Sequence, residues 1–287
     1  MANVAKYLAH FGKKVFAIDF DLEAPGLHYK LSLGKKSAPS TIKLGVADYI
    51  HAFSIGEGLP GSLAEYVIEV EHEQKGEGSI HLMPAGSVLS ASYWSKLAQI
   101  NWHELFYSEG AKGIPFFLEL KERIAKEFSP DFLLIDSRTG ITEIGGVATT
   151  ILPDKVVCLL LNNRENLEGA REVLRSIKRA SRLPSQNSVE IVPVVTRIPK
   201  MEKSEVEERI VNEIRDFINK DAGNLSDTLN IPEVLILHSE PDLQVAESLH
   251  IGSDKRPGES PLLMDYQQLF FRLVPNDVIE PHIVPLV

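Results

Sequence analysis

Residues Phe16–Leu27 read FAIDFDLEAPGL, and this stretch decides the fold. A short apolar strand runs directly into two acids, Asp19 and Asp21, and then into the turn signal Pro25-Gly26. In a parallel sheet ligands collect at the carboxyl ends of the strands, so both acids stand where a ligand sits. Two residues apart, they share a face if the strand continues that far. Clustered carboxylates repel, which a divalent cation relieves. The competing reading is plainer: one acid caps a turn and the other is solvated.

A second stretch, FLLIDSRTG at Phe132–Gly140, repeats the pattern. Four apolar residues deliver Asp136 to a strand end, the shape of the strand whose Asp holds Mg²⁺ in P-loop proteins. Gly140, four residues later, permits close backbone approach to a phosphate. Between and beyond these stretches, helical patterns alternate with short β-branched runs. Helices are predicted over Met1–Phe11, Val46–Phe53, Trp102–Phe106, Phe116–Phe128, Glu165–Arg182, Ser204–Lys220 and Met264–Leu273. Strands are predicted at Val15–Ile18, Ser79–Met83, Phe132–Ile135, Lys155–Leu161, Val189–Val195 and Val234–Leu237. The alternation predicts an α/β fold, a doubly wound, mostly parallel sheet with helices on both faces. One domain is expected over residues 1–273, followed by a non-helical tail, 274–287, with three prolines in 14 residues.

Composition narrows the function classes. With 44% hydrophobic and 24% charged residues, the 287-residue chain is built as a globular protein with a sizeable core. Its longest central apolar run, Val156–Leu161, is six residues, against the roughly 20 a membrane span needs. Met1–Phe11 has no cleavage-site pattern, so a cytoplasmic protein is expected. The single cysteine, Cys158, excludes an internal disulfide and lies in an apolar run that suits an inert core thiol. Nine histidines lack ligand-like spacing. A net charge of −10 opposes a surface that coats nucleic acid. Arg171, Arg175, Lys178, Arg179 and Arg182 nevertheless share one helix face, which reads first as solvated and second as a contact for an acidic partner or DNA.

Taken in order, the two acidic stretches resemble the ParA/MinD family of P-loop ATPases, in the wider CobQ/CobB/MinD/ParA group. The resemblance extends to Asn3 in the first helix, to LMPAG at Leu82–Gly86, to VVTRIP at Val194–Pro199 and to ILHSEPDLQVAES at Ile236–Ser248. It is strongest with a subgroup reading Asp-x-Asp-x-Glu-Ala-Pro-Gly-Leu, matched at Asp19–Leu27. It implies ATP and Mg²⁺ as ligands, an ATP-dependent homodimer and slow hydrolysis that switches a protein partner. Asp21 would orient the attacking water, Asp19 and Asp136 would hold Mg²⁺ through its waters, and Gly140 would sense the γ-phosphate. Thr196, Arg197, Glu240 and Pro241 would lie on the base side, with Thr196 standing where the family has Asn. The C-terminal end lacks the Lys/Arg-rich amphipathic helix that MinD uses on membranes, and its tyrosines do not cluster as in the related autokinases.

One part of the family pattern is absent. No glycine-rich loop ending in Lys or Arg then Ser or Thr occurs: Gly56-Glu57-Gly58, Gly76-Glu77-Gly78 and Gly145-Gly146 lack the following residues and the strand–loop–helix setting. Counting back along the first helix puts the end of such a loop about three residues before Met1. Either an internal methionine stands as the start, or a divergent protein has lost the loop and survives as a non-catalytic interaction module. The first is expected, because everything downstream reads as built for nucleotide.

Overall fold

The computed structural model describes residues 1–31, 42–70, 78–137, 146–180, 188–220, 228–240 and 260–274. They form two compact units, Met1–Leu152 and Pro153–Val287. The ladders are parallel except for one short antiparallel pair, so the chain is α/β with mostly parallel sheets.

The first unit is built on a four-stranded sheet. Helix α1 (Ala2–His10) leads into β1 (Lys14–Asp19). Gly12, at φ +74°, closes the helix: its amide bonds to Ala9 O and that of Lys13 to Leu8 O, so the last carbonyls are satisfied within one turn. A short helix α2 (Leu27–Lys30), α3 (Val46–Ser54), β2 (Ile68–Glu69) and β3 (Ser79–Met83) follow, then α4 (Ala91–Gln99), α5 (Trp102–Phe106), α6 (Gly113–Phe128) and β4 (Phe132–Asp136). The strand order is β2-β3-β1-β4, with β1 parallel to both neighbours. Period-two alternation sends Phe16, Ile18 and Phe20 into a core with Tyr49, Met83, Phe116 and Phe117. Val15 and Ala17, on the other face, are equally buried, and α1 packs against β1 and β3.

The Pro84-Ala85-Gly86 segment ending β3 is gripped by the start of α3, whose Val46 and Ala47 amides bond to Pro84 O and Ala85 O at 2.8 and 2.9 Å. The approach requires glycine: a Cβ on Gly45 would stand 2.1 Å from Pro84 O. Asp48 finishes the joint by accepting from the Gly45 amide at 3.0 Å and from Lys96 Nζ at 2.7 Å.

The second unit holds a three-stranded parallel sheet, β5-β6-β7, of β5 (Lys155–Leu161), β6 (Glu190–Ile198) and β7 (Leu235–His238). Its helices are α7 (Arg164–Arg179), α8 (Ser204–Asn219) and α9 (Pro261–Leu273). Leu174 and Ile177 of α7, Ile214 and Ile218 of α8 and Leu160 and Val195 of the sheet share one core.

The basic face of α7 is where the sequence reading is corrected. Arg175 is buried, and its guanidinium donates to Lys220 O at 3.1 Å and to Glu172 at 2.7 Å. Arg171 lies 4.7 Å over the Phe217 ring and reaches Phe217 O at 3.5 Å, while Lys178 donates to Thr228 O. The arginines therefore satisfy the exposed carbonyls at the C-terminus of α8, where positive charge is favoured. Arg171 and Arg175 are packing groups, while Lys178 and Arg179 on the same face are exposed, as the solvated reading expects. Arg182 lies outside the described residues.

Candidate functional site

Parallel pairing of β1 with β4 places Asp19 directly opposite Asp136, the last residue of each strand. The ladder extends one residue further, with the Phe20 amide bonding to Asp136 O at 2.9 Å, so the register at the acids is fixed on both sides. Asp19 is fully buried. Its Oδ2 accepts the Leu27 amide at 3.1 Å, closing the Asp19–Leu27 loop on itself. Its Oδ1 is buried and has no hydrogen-bond partner among the described residues. An ionised oxygen in that condition costs several kcal/mol unless something positive or hydrogen-bonding meets it.

Asp136 is half-buried. Burial pushes its carboxyl up, the Met1 ammonium pulls it back, and the charges of Asp19 and Asp21 push it up again. The ammonium is itself lowered by burial and raised by Asp136. The start of α1 therefore lies close to the strand-end acids, and the positive end of its dipole adds to the field there.

Asp21 is half-buried, and its Oδ1 accepts the Ala24 amide at 3.2 Å. It thus caps the turn before Pro25, as the plainer of the two sequence readings holds for one acid. The same reading fails for Asp19, which is buried rather than solvated. The loop is braced by Tyr93 of α4, whose hydroxyl donates to Leu22 O at 2.6 Å. Burial, then the charges of Asp19, Asp48 and Asp21, push that hydroxyl far above its ordinary range, so it remains a donor. His28, one residue beyond the acidic motif, is buried with its Nδ1 at 4.0 Å from Asp19 Oδ2, and neither ring nitrogen has a hydrogen-bond partner among the described residues.

Among the described residues no three His, Cys, Asp or Glu side chains converge into a direct metal cage. The donor set nevertheless fits Mg²⁺, which keeps several waters and is bound through one or two carboxylates. An orphaned carboxylate oxygen beside a second strand-end carboxylate is the environment a hydrated dication satisfies.

In the second unit, Thr196 is the last β6 residue paired with β5, and Arg197 stands before Ile198, the last residue of β6. Thr196 Oγ1 donates to Leu160 O at 3.2 Å. Arg197 stands at φ +61° in a bulge that shifts the β6–β7 register between Thr196 and Ile198, and its side chain is exposed. A left-handed conformation costs a non-glycine residue about 1–2 kcal/mol, and such outliers gather at functional positions. Glu240 is buried and accepts from Ser260 Oγ. Gly140 and Pro241 lie outside the described residues. Cys158 packs against the core, where burial pushes its thiol up to about 11, as an inert cysteine requires.

Sequence reasoning passed over His28 and Tyr93. The first adjoins the motif and could have been marked by its position. The second carries no signal, since a helical tyrosine reads as core.

No family model matches the chain, and no curated protein matches it. Solved structures do. An ATP complex of a Cyanothece McdA variant aligns with 95% of this chain and 90% of its own, at 14% identity and a TM-score of 0.58. The cell division ATPase MinD of Pyrococcus furiosus aligns over 93% and 91%, at 16% identity and a TM-score of 0.54. A ParA family ATPase from Chlorobium tepidum aligns over 93% and 91%, at 17% identity and 0.54. The chain has the fold of the MinD and ParA ATPases. No helix among the described residues is long and apolar enough to cross a membrane.

Proposed function

We propose that this protein is a Mg²⁺-dependent ATP-binding switch of the ParA/MinD type, which dimerises around ATP, hydrolyses it slowly and signals to a protein partner. The observation that carries the reading is the pair Asp19 and Asp136, in register at adjacent strand ends, with Asp19 Oδ1 buried and unpartnered. Bound Mg²⁺ supplies neutralisation of phosphate charge. Asp19 and Asp136 hold it through its waters. Asp21 orients the attacking water, and its Oδ1 accepts from the Ala24 amide. The Asp19–Leu27 loop, closed by Leu27 and braced by Tyr93, excludes bulk water from the buried acid. Gly140 approaches the γ-phosphate, and Thr196, Arg197, Glu240 and Pro241 recognise the base, assignments that rest on the resemblance.

The test is metal binding. Mn²⁺, a relaxation probe for Mg²⁺ sites, is expected to bind the 287-residue chain. Affinity should fall by about tenfold or more in Asp136→Ala, as loss of a hydrogen-bonded group to a charge implies. Water-proton relaxation enhancement reads both, and equal enhancement in wild type and variant would sink the proposal.

DNA as the partner is disfavoured by the commitment of Arg171 and Arg175 to α8. With a net charge of −10, the field of the whole chain also opposes the approach of duplex. No appreciable binding of nonspecific duplex is expected near physiological salt in a mobility-shift titration. Submicromolar binding that weakens steeply with salt and disappears when the exposed Arg179 becomes Glu would restore the partitioning reading.

A further inference from the structure

His28 is a buried imidazole with neither ring nitrogen bonded among the described residues, and it faces a buried carboxylate that is also incompletely satisfied there. Such orphaned groups are rare in folded proteins, because each forfeits its hydration without replacement. Here the two are complementary: an imidazole N–H donates and a carboxylate accepts. The gap of 4.0 Å is about 1 Å longer than a hydrogen bond. Ring rotation is limited by the neighbouring Tyr29 ring, tilted against it at 4.1 Å between centroids, so the shortest route to a bond is a small movement of the ring toward Asp19.

We propose that His28 is a positioning residue for Asp19, donating from Nδ1 to Oδ2 so that Oδ1 is held toward the cation site. The inference rests on the Mg²⁺ reading given above and deepens it. Oδ2 already accepts the Leu27 amide. A second donor on the same oxygen fixes the carboxylate plane from two directions and leaves Oδ1 as the only lone pairs available to a ligand. A carboxylate otherwise turns about its Cβ–Cγ bond, and each turn spoils the alignment of a metal-bound water. Groups that orient metal-binding side chains in this way commonly change affinity by about 10- to 100-fold. The role does not require His28 to change protonation state, since the neutral ring with its proton on Nδ1 suffices.

The test has one arm without metal and one with it. In the metal-free chain, the His28 ring-nitrogen signals of a long-range ¹⁵N correlation spectrum are expected to report a fixed Nδ1–H tautomer, and to shift in Asp19→Asn. Signals unmoved by Asp19→Asn overturn the proposal whatever the metal does. In the second arm, Mn²⁺ affinity is read by water-proton relaxation. His28→Phe keeps the ring and removes the donor, and is expected to lose about tenfold. His28→Asn places an amide N–H near the position of Nδ1 and is expected to recover most of that loss. Wild-type affinity in His28→Phe overturns the proposal. So does an equal loss in both variants accompanied by an equal fall in Tm, which marks packing alone. If the wild-type chain itself fails to bind Mn²⁺, the Mg²⁺ reading falls, and the ring-nitrogen arm alone decides whether His28 holds Asp19.

Discussion

A form of this protein carrying, ahead of Met1, the glycine-rich loop that the resemblance implies is expected to bind ATP several powers of ten more tightly than the 287-residue chain. Such a loop grips phosphate with backbone amides and a lysine, and its hydroxyl binds Mg²⁺ directly. Each charge-assisted hydrogen bond contributes about 1.5–3 kcal/mol. Three of them amount to roughly 4.5–9 kcal/mol, and every 1.4 kcal/mol or so is tenfold in affinity. The first turn of α1 cannot replace them, because a helix terminus alone contributes about 0.3–1 kcal/mol toward an anion. Calorimetric titration of both forms with Mg·ATP measures the difference, and micromolar binding by the 287-residue chain would contradict it.

The strands were legible because most are short, largely apolar runs bounded by turn or charge signals. Ser79–Met83 and Lys155–Leu161 agree residue for residue with the structure, and Asp136 is the terminal residue of β4 as its position after four apolar residues implied. Short elements were not legible. The α4 segment, ASYWSKLAQ, buries only Tyr93, so its pattern lacks an apolar stripe, and α2 and β2 are too brief to show a period. The candidate acids could be placed at strand ends, but their pairing could not, because register between β1 and β4 is set by contacts far apart in sequence. The arginine face of α7 shows the complementary limit. A helical projection displays the charges of one helix and conceals the carbonyls of its neighbour, and those carbonyls bury Arg175.

In the loop-bearing form, Asp21→Ala is expected to lower ATP hydrolysis by about 10²-fold or more while leaving ATP binding and dimer formation mostly intact. A group that orients the attacking water acts on the transition state, so its removal appears in the turnover rate and not in ground-state affinity. Asp136→Ala should behave differently, weakening Mg²⁺-dependent binding as well, because its carboxylate faces the cation before any chemistry occurs. The Ala24 bond to Asp21 complicates the first variant, since truncation also frees that amide. Asp21→Asn separates the two effects: its amide oxygen still accepts from Ala24, while the charge is gone. If hydrolysis falls equally in Asp21→Ala and Asp21→Asn, the charge carries the effect. If Asp21→Asn turns over normally while Asp21→Ala does not, Asp21 serves only to cap the turn. Normal turnover in both would remove Asp21 from the mechanism and leave Asp19 and Asp136 as a binding site without an assigned catalyst.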